Sequence, residues 1–177
     1  VAIIGLSQGT AFVDLSDPGH PVVLGTLPPW TRPSFWRDVK VYRDHAFIVS
    51  EAPLHGMQVF DLARLPARED APQPLAASAH YAAFGNAHNL ALDEETGFAF
   101  AVGTRTCGRG LHMVDVTRPL EPLFAGCFAD DGYTHDAHCV VYRGPDAEYR
   151  GREVCFNSNE DTLTVVDVSS KDAPRML

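Results

Sequence analysis

Asp38, Glu51, His88 and His138 are the residues of this chain whose types best suit chemistry. Carboxylate oxygens with imidazole nitrogens are a common donor set for a borderline divalent metal, and a metal-bound water supplies a nucleophile for hydrolysis. Their spacing is too wide for a local motif, so only a fold that returns the chain to one place at intervals can assemble them. Arg37, Asn89, His135, Asp136, Asn157, Asn159 and Glu160 fall near the same points of the chain and are expected to surround such a site as ligand-binding groups.

A repeated phrase supplies the means of return. Leu111-His112-Met113-Val114-Asp115-Val116 has counterparts in Thr10-Ala11-Phe12-Val13-Asp14-Leu15, Met57-Gln58-Val59-Phe60-Asp61-Leu62 and Leu163-Thr164-Val165-Val166-Asp167-Val168, with the shared Asp recurring at spacings of 47, 54 and 52 residues. A period of this size indicates a repeat architecture. Each copy reads as a strand ending at Asp, which, with Ser or Thr nearby, bonds to backbone N–H groups beyond it. The Asp is expected to be structural.

The repeat units run approximately over 1–35, 36–86, 87–136 and 137–177 of one domain, 1–177. Each full unit holds four short strands in one order, the first unit lacking its innermost, and no long amphipathic helix is present. The segment 64–74 reads as a polar, Pro-rich loop with a helical turn, and 76–84 as a weak fourth strand. The fold class is therefore all-β, a β-propeller of four-stranded antiparallel blades, either about four blades or part of a larger ring of roughly six to eight. A β-sandwich offers no reason for the recurring phrase.

In a propeller the first strand of each blade lines the central channel. Registering the first strands of three units places Asp38, His88 and His138 at one level, with Glu51 nearby. The plainer reading is that short polar side chains there bond free backbone groups of the neighbouring blade, and that Arg37 and Asp38 form an ion pair. His20, His45, His55, His80 and His112 read as ordinary turn or strand histidines. Trp30, Phe35 and Trp36 are expected to pack between blades. The Asp130-Asp131-Gly132 loop lacks the ligand spacing of a calcium loop and reads as a solvated turn.

Net charge is −9 among 177 residues, with no cluster of Lys and Arg. Nucleic acid is an unfavourable partner, and no apolar run is long enough to span a bilayer. No Gly-rich phosphate loop, nucleophile elbow or HExxH run is present. Four cysteines, Cys107, Cys127, Cys139 and Cys155, allow three complete pairings, and sequence alone does not choose among them. Cys139 and Cys155 fall on consecutive strands, where a cross-strand bridge can form, leaving Cys107 with Cys127. Disulfides are the expectation, and they point to an exported protein; the alternative is four buried thiols in a cytosolic one. Both ends of the chain read as cut, which puts any signal or anchor outside it.

The chain resembles the LVIVD-repeat proteins, specifically the choice-of-anchor B family. The resemblance rests on the four phrases and on longer stretches, among them Gly9-Thr10-Ala11-Phe12-Val13-Asp14, Trp36-Arg37-Asp38-Val39-Lys40, His45-Ala46-Phe47-Ile48-Val49-Ser50-Glu51, Tyr133-Thr134-His135-Asp136-Ala137-His138-Cys139 and Cys155-Phe156-Asn157-Ser158-Asn159-Glu160-Asp161. It implies a secreted or surface-attached propeller domain and no particular chemistry. The expected function is an extracellular scaffold or binding domain for a protein or glycan. The alternative is a metal-dependent hydrolase or lactonase-like propeller enzyme, with a divalent ion at the channel mouth.

Overall fold

The computed structural model describes all residues, 1–177, and the chain is all-β, with short 3-10 turns as its only helical segments. The first sheet contains β1 (Ala2–Leu6), β2 (Gly9–Asp14) and β3 (Val22–Leu27), the second β4 (Arg37–Tyr42), β5 (His45–Ser50) and β6 (Met57–Asp61). A two-residue strand β7 (Gln73–Pro74) and then β8 (Ala79–Tyr81) follow. The third sheet comprises β9 (Asn89–Asp93), β10 (Phe98–Val102), β11 (Leu111–Asp115) and β12 (Leu123–Phe128). The fourth comprises β13 (Thr134–Val141), β14 (Glu153–Asn159), β15 (Leu163–Asp167) and β16 (Arg175–Met176). Each of the four sheets has four strands.

The first unit does lack the counterpart of β4, because Asp14 lies on β2 where Asp61 lies on the third strand of its sheet. Its fourth member comes from elsewhere. The segment read as a loop holds 3-10 turns at Leu62–Arg64 and Arg68–Asp70, then runs back along the first sheet, where β7 pairs parallel with β3. Every other pairing is antiparallel. Arg68 anchors this return, bonding Asp14 at 3.0 Å and the His20 carbonyl.

The Asp of the repeated phrase closes a side-chain turn in all four copies. Asp14, Asp61, Asp115 and Asp167 accept from the backbone N–H two residues on, at Ser16, Ala63, Thr117 and Ser169, over 2.8, 2.9, 2.9 and 3.0 Å. Such a bond satisfies a donor that the strand ladder leaves free as the chain turns.

Side chains on a strand alternate between faces, and on the second strands both faces are buried, each in a different core. On β5, Ala46 and Ile48 join Phe12 and Leu27 of the first sheet, while Phe47 and Val49 face Leu90, Ala99 and Ala101 of the third. On β10, Ala99 and Ala101 point back, and Phe100 and Val102 pack forward onto Cys139, Cys155 and Val166 of the fourth. The sheets are thus stacked face to face in chain order. Gly126 permits the last contact, since a Cβ there would lie 1.7 Å from the Lys171 carbonyl oxygen.

One position in the stack is polar although buried. Three residues before the shared Asp, Gln58, His112 and Thr164 each bond to the preceding unit: Gln58 Nε2 donates to the Pro28 carbonyl at 3.1 Å, His112 Nε2 meets Tyr81 Oη at 2.9 Å, and Thr164 Oγ1 bonds the Asp131 carboxylate. A buried polar group holds its place only when paired, so these contacts fix how consecutive sheets seat on each other.

Candidate functional site

The pairing registers correct the expected ring of Asp38, His88 and His138. Asp38 lies opposite Val49, whereas Asn89 lies opposite Val102 and Asp136 opposite Ser158, and these partners hold equivalent places relative to the shared Asp. The residues at one level are therefore Asp38, Asn89 and Asp136. His88 stands one residue before that level and His138 two residues beyond it. The registers differ from the expected alignment because the first hairpins of the units differ in loop length and β13 carries an irregularity between Thr134 and Asp136.

Two of these equivalent residues bind neighbouring strands. Asp38 accepts from the Leu90 N–H at 3.0 Å, joining β4 to β9, and holds Lys40 Nζ at 2.7 Å. Asn89 Nδ2 donates to the His135 carbonyl at 3.1 Å, joining β9 to β13. Arg37 does not pair with Asp38: its Nε donates to the Leu6 carbonyl at 2.8 Å and its Nη1 approaches His55 Nε2 at 2.9 Å. His138 and Asp136 are exposed.

Of the four expected metal ligands only Glu51 and His88 meet, with Glu51 Oε1 2.6 Å from His88 Nδ1. No three His, Cys, Asp or Glu side chains are grouped as a metal ion would require. The Glu51 bond places the Nδ1 hydrogen toward the carboxylate, which leaves Nε2 as a buried atom without a partner. Burial comes from two sides, for Trp36 stacks on the His88 ring at 4.3 Å and His135 lies 4.2 Å away. Gly103, at φ +62°, makes room: a Cβ there would sit 2.5 Å from the His88 Cβ and 3.1 Å from Tyr133 Oη.

Glu51 also lines an open polar cleft of about 540 Å³, with Asn86, Gly103, Thr104, Arg105, Arg109 and Tyr133. The loop carrying both arginines is tied to β12 by the Cys107–Cys127 disulfide, and the Arg109 guanidinium lies 4.5 Å from the Tyr133 ring centre. The second disulfide joins Cys139 to Cys155, which face each other on β13 and β14. Tyr133 separates this cleft from a second one lined by Asp131, Gly132, Glu160 and Asp161. Burial and the nearby Glu51 and Glu160 carboxylates raise the Tyr133 phenol above its usual range, against the opposing pull of Arg109.

A further expectation needs correction. Trp30, Phe35 and Trp36 do not pack between sheets: they are 49, 99 and 43% exposed, with Trp30 stacked on His80 at 3.8 Å. They lie in the connection between the first and second sheets, where no facing sheet covers them. The Asp130-Asp131-Gly132 loop is solvated at Asp130 and Gly132, but the Asp131 carboxylate turns inward, accepting from Asn159 Nδ2 at 2.8 Å and from the Thr162 and Thr164 hydroxyls. Asn157 is fully buried with its whole amide unpartnered, beside an Asn159 Oδ1 that is likewise unpaired.

His112 lies on a strand and His55 closes a turn, as expected, but both are buried. Burial lowers each to a pKa of about 4, with Arg37 and His80 adding to the effect at His55. Arg105 and Arg109 share one loop, while Asn86 and Tyr133 come from two others, so no local pattern in the sequence joins them. Their one sequence signal is the polar run Thr104–Gly110 around Cys107. No family model, curated protein or solved structure matches this chain.

Proposed function

We propose that the chain is a sector of a β-propeller of the LVIVD-repeat, choice-of-anchor B kind, exported or surface-attached, which binds a saccharide at the edge between the second and third sheets where Glu51 and His88 meet. The two disulfides support an oxidising compartment. The propeller reading is supported by the outermost faces of the stack, where Ile4, Leu6 and Val23 on the first sheet and Phe156 and Val165 on the fourth present apolar side chains as the internal faces do.

One observation carries the binding reading: the half-exposed ring of Trp36 stacks on His88, whose partner Glu51 lines a polar cleft. An exposed aromatic face beside convergent amide, carboxylate and guanidinium groups suits a sugar ring, which has both C–H faces and equatorial hydroxyls. The metal-hydrolase alternative needs three or more converging ligands, and Asp38 is already held by Lys40 and Leu90.

Intrinsic fluorescence provides the test, since the chain has two tryptophans, Trp30 and Trp36. Titration with a panel of mono- and oligosaccharides is expected to change the emission for at least one sugar, and Trp36→Ala is expected to abolish binding while the far-ultraviolet spectrum stays unchanged. A panel without a single binder, or full binding by Trp36→Ala, refutes the reading.

A further inference from the structure

We infer that the sugar bound in the Glu51–Tyr133 cleft is an acidic one, held by its carboxylate between Arg105 and Arg109; this rests on the saccharide reading above. Neither arginine makes a salt bridge within the chain, whereas Arg68, Arg118, Arg143 and Arg152 each pair with a carboxylate. On a chain of net charge −9, two guanidinium groups without a salt-bridge partner line one cleft and outnumber its single carboxylate, Glu51. The planar donor fork of Arg matches a carboxylate in two parallel hydrogen bonds.

The rest of the cleft suits that ligand. Glu51, its sole carboxylate, already has Oε1 engaged by His88. The disulfide and the contact of Arg109 with Tyr133 hold the loop in place before any ligand arrives, so little ordering cost remains. Asn86 offers both a donor and an acceptor for ring hydroxyls. Across Tyr133, the carboxylates of Asp131, Glu160 and Asp161 line the neighbouring cleft and repel a second negative group. The site therefore selects an isolated carboxylate over a densely charged polymer.

The test compares D-glucuronic acid, D-glucose, acetate, inorganic phosphate and heparin by calorimetry at low ionic strength, with wild type, Arg105→Gln and Arg109→Gln. Both arginine side chains are exposed, so the variants are expected to keep the wild-type spectrum. Glucuronic acid is expected to bind at least about tenfold more tightly than glucose, and each variant to lose about tenfold for glucuronic acid with glucose unchanged. Equal affinity for the two sugars, or undiminished glucuronic acid binding in both variants, overturns the inference while leaving a saccharide site. Acetate or phosphate binding as tightly as glucuronic acid overturns it in favour of a simple anion site, and heparin binding most tightly overturns it in favour of a polyanion surface. If neither sugar binds, the inference is overturned, and the saccharide reading falls with it only if the wider panel also holds no binder.

Discussion

His112 should make the fold sensitive to mild acid, and His112→Gln should remove much of that sensitivity. The ring is buried between the second and third sheets, with Nε2 against Tyr81 Oη at 2.9 Å and Nδ1 against Thr106 Oγ1 at 2.8 Å. Burial lowers its pKa from 6.5 to about 4. The folded state therefore resists protonation in a range where the unfolded chain accepts it. Stability from this group is complete above pH 6.5 and is lost progressively as pH falls to about 4. At 1.36 kcal/mol per unit, the loss is about 3 kcal/mol. His55, with the same displacement and Arg37 against its Nε2, adds a second loss of similar size. Against a typical total of about 5–15 kcal/mol, the two together remove a large share of the stability as pH falls toward the carboxylate range. Gln is the apt replacement because the preceding unit uses Gln58 at the equivalent position. Urea unfolding followed by tryptophan fluorescence at pH 7.5, 6.0, 5.0 and 4.5 measures the effect. The wild type should lose stability steeply across that range, and His112→Gln should lose about 3 kcal/mol less. Parallel losses in the two proteins would refute the assignment of the proton to His112.

Other perturbations follow from the same framework. Phe100→Ala, which empties a fully buried ring from the core between the third and fourth sheets, should cost about 3–5 kcal/mol in urea unfolding at pH 7.5; a loss below 1 kcal/mol would mean that those sheets do not pack as described. Replacing Cys139 and Cys155 together by Ala opens a loop with a sequence separation of 16 and should lower stability by about 3 kcal/mol, read against the oxidised wild type. Asp115→Ala removes the acceptor for both the Thr117 N–H and hydroxyl and should cost about 1 kcal/mol with the circular dichroism spectrum unchanged; a cost several times larger would give that Asp a role beyond its turn.

The division of labour between sequence and tertiary structure follows the range of the interactions concerned. The recurring Asp turns, the strand order of each unit, the missing first strand of the first unit and the cross-strand position of Cys139 and Cys155 all depend on residues close together in the chain, and periodicity alone determined them. The return of β7 to the first sheet does not, because a two-residue parallel strand carries no pattern and is placed by long-range contacts such as Arg68 with Asp14. The site divides in the same way. Glu51 and His88 were legible as residues able to act together, but their partners were not: hairpin lengths and the irregularity in β13 set the register that separates His138 from His88. Whether Trp36 packs inward or stands half exposed over His88, and whether Arg105 and Arg109 share a cleft with Glu51, depends on how separate loops meet along one edge of the stacked sheets. Loop chemistry is local, but loop placement is a property of the packed sheets beneath it, and only the tertiary structure decides it.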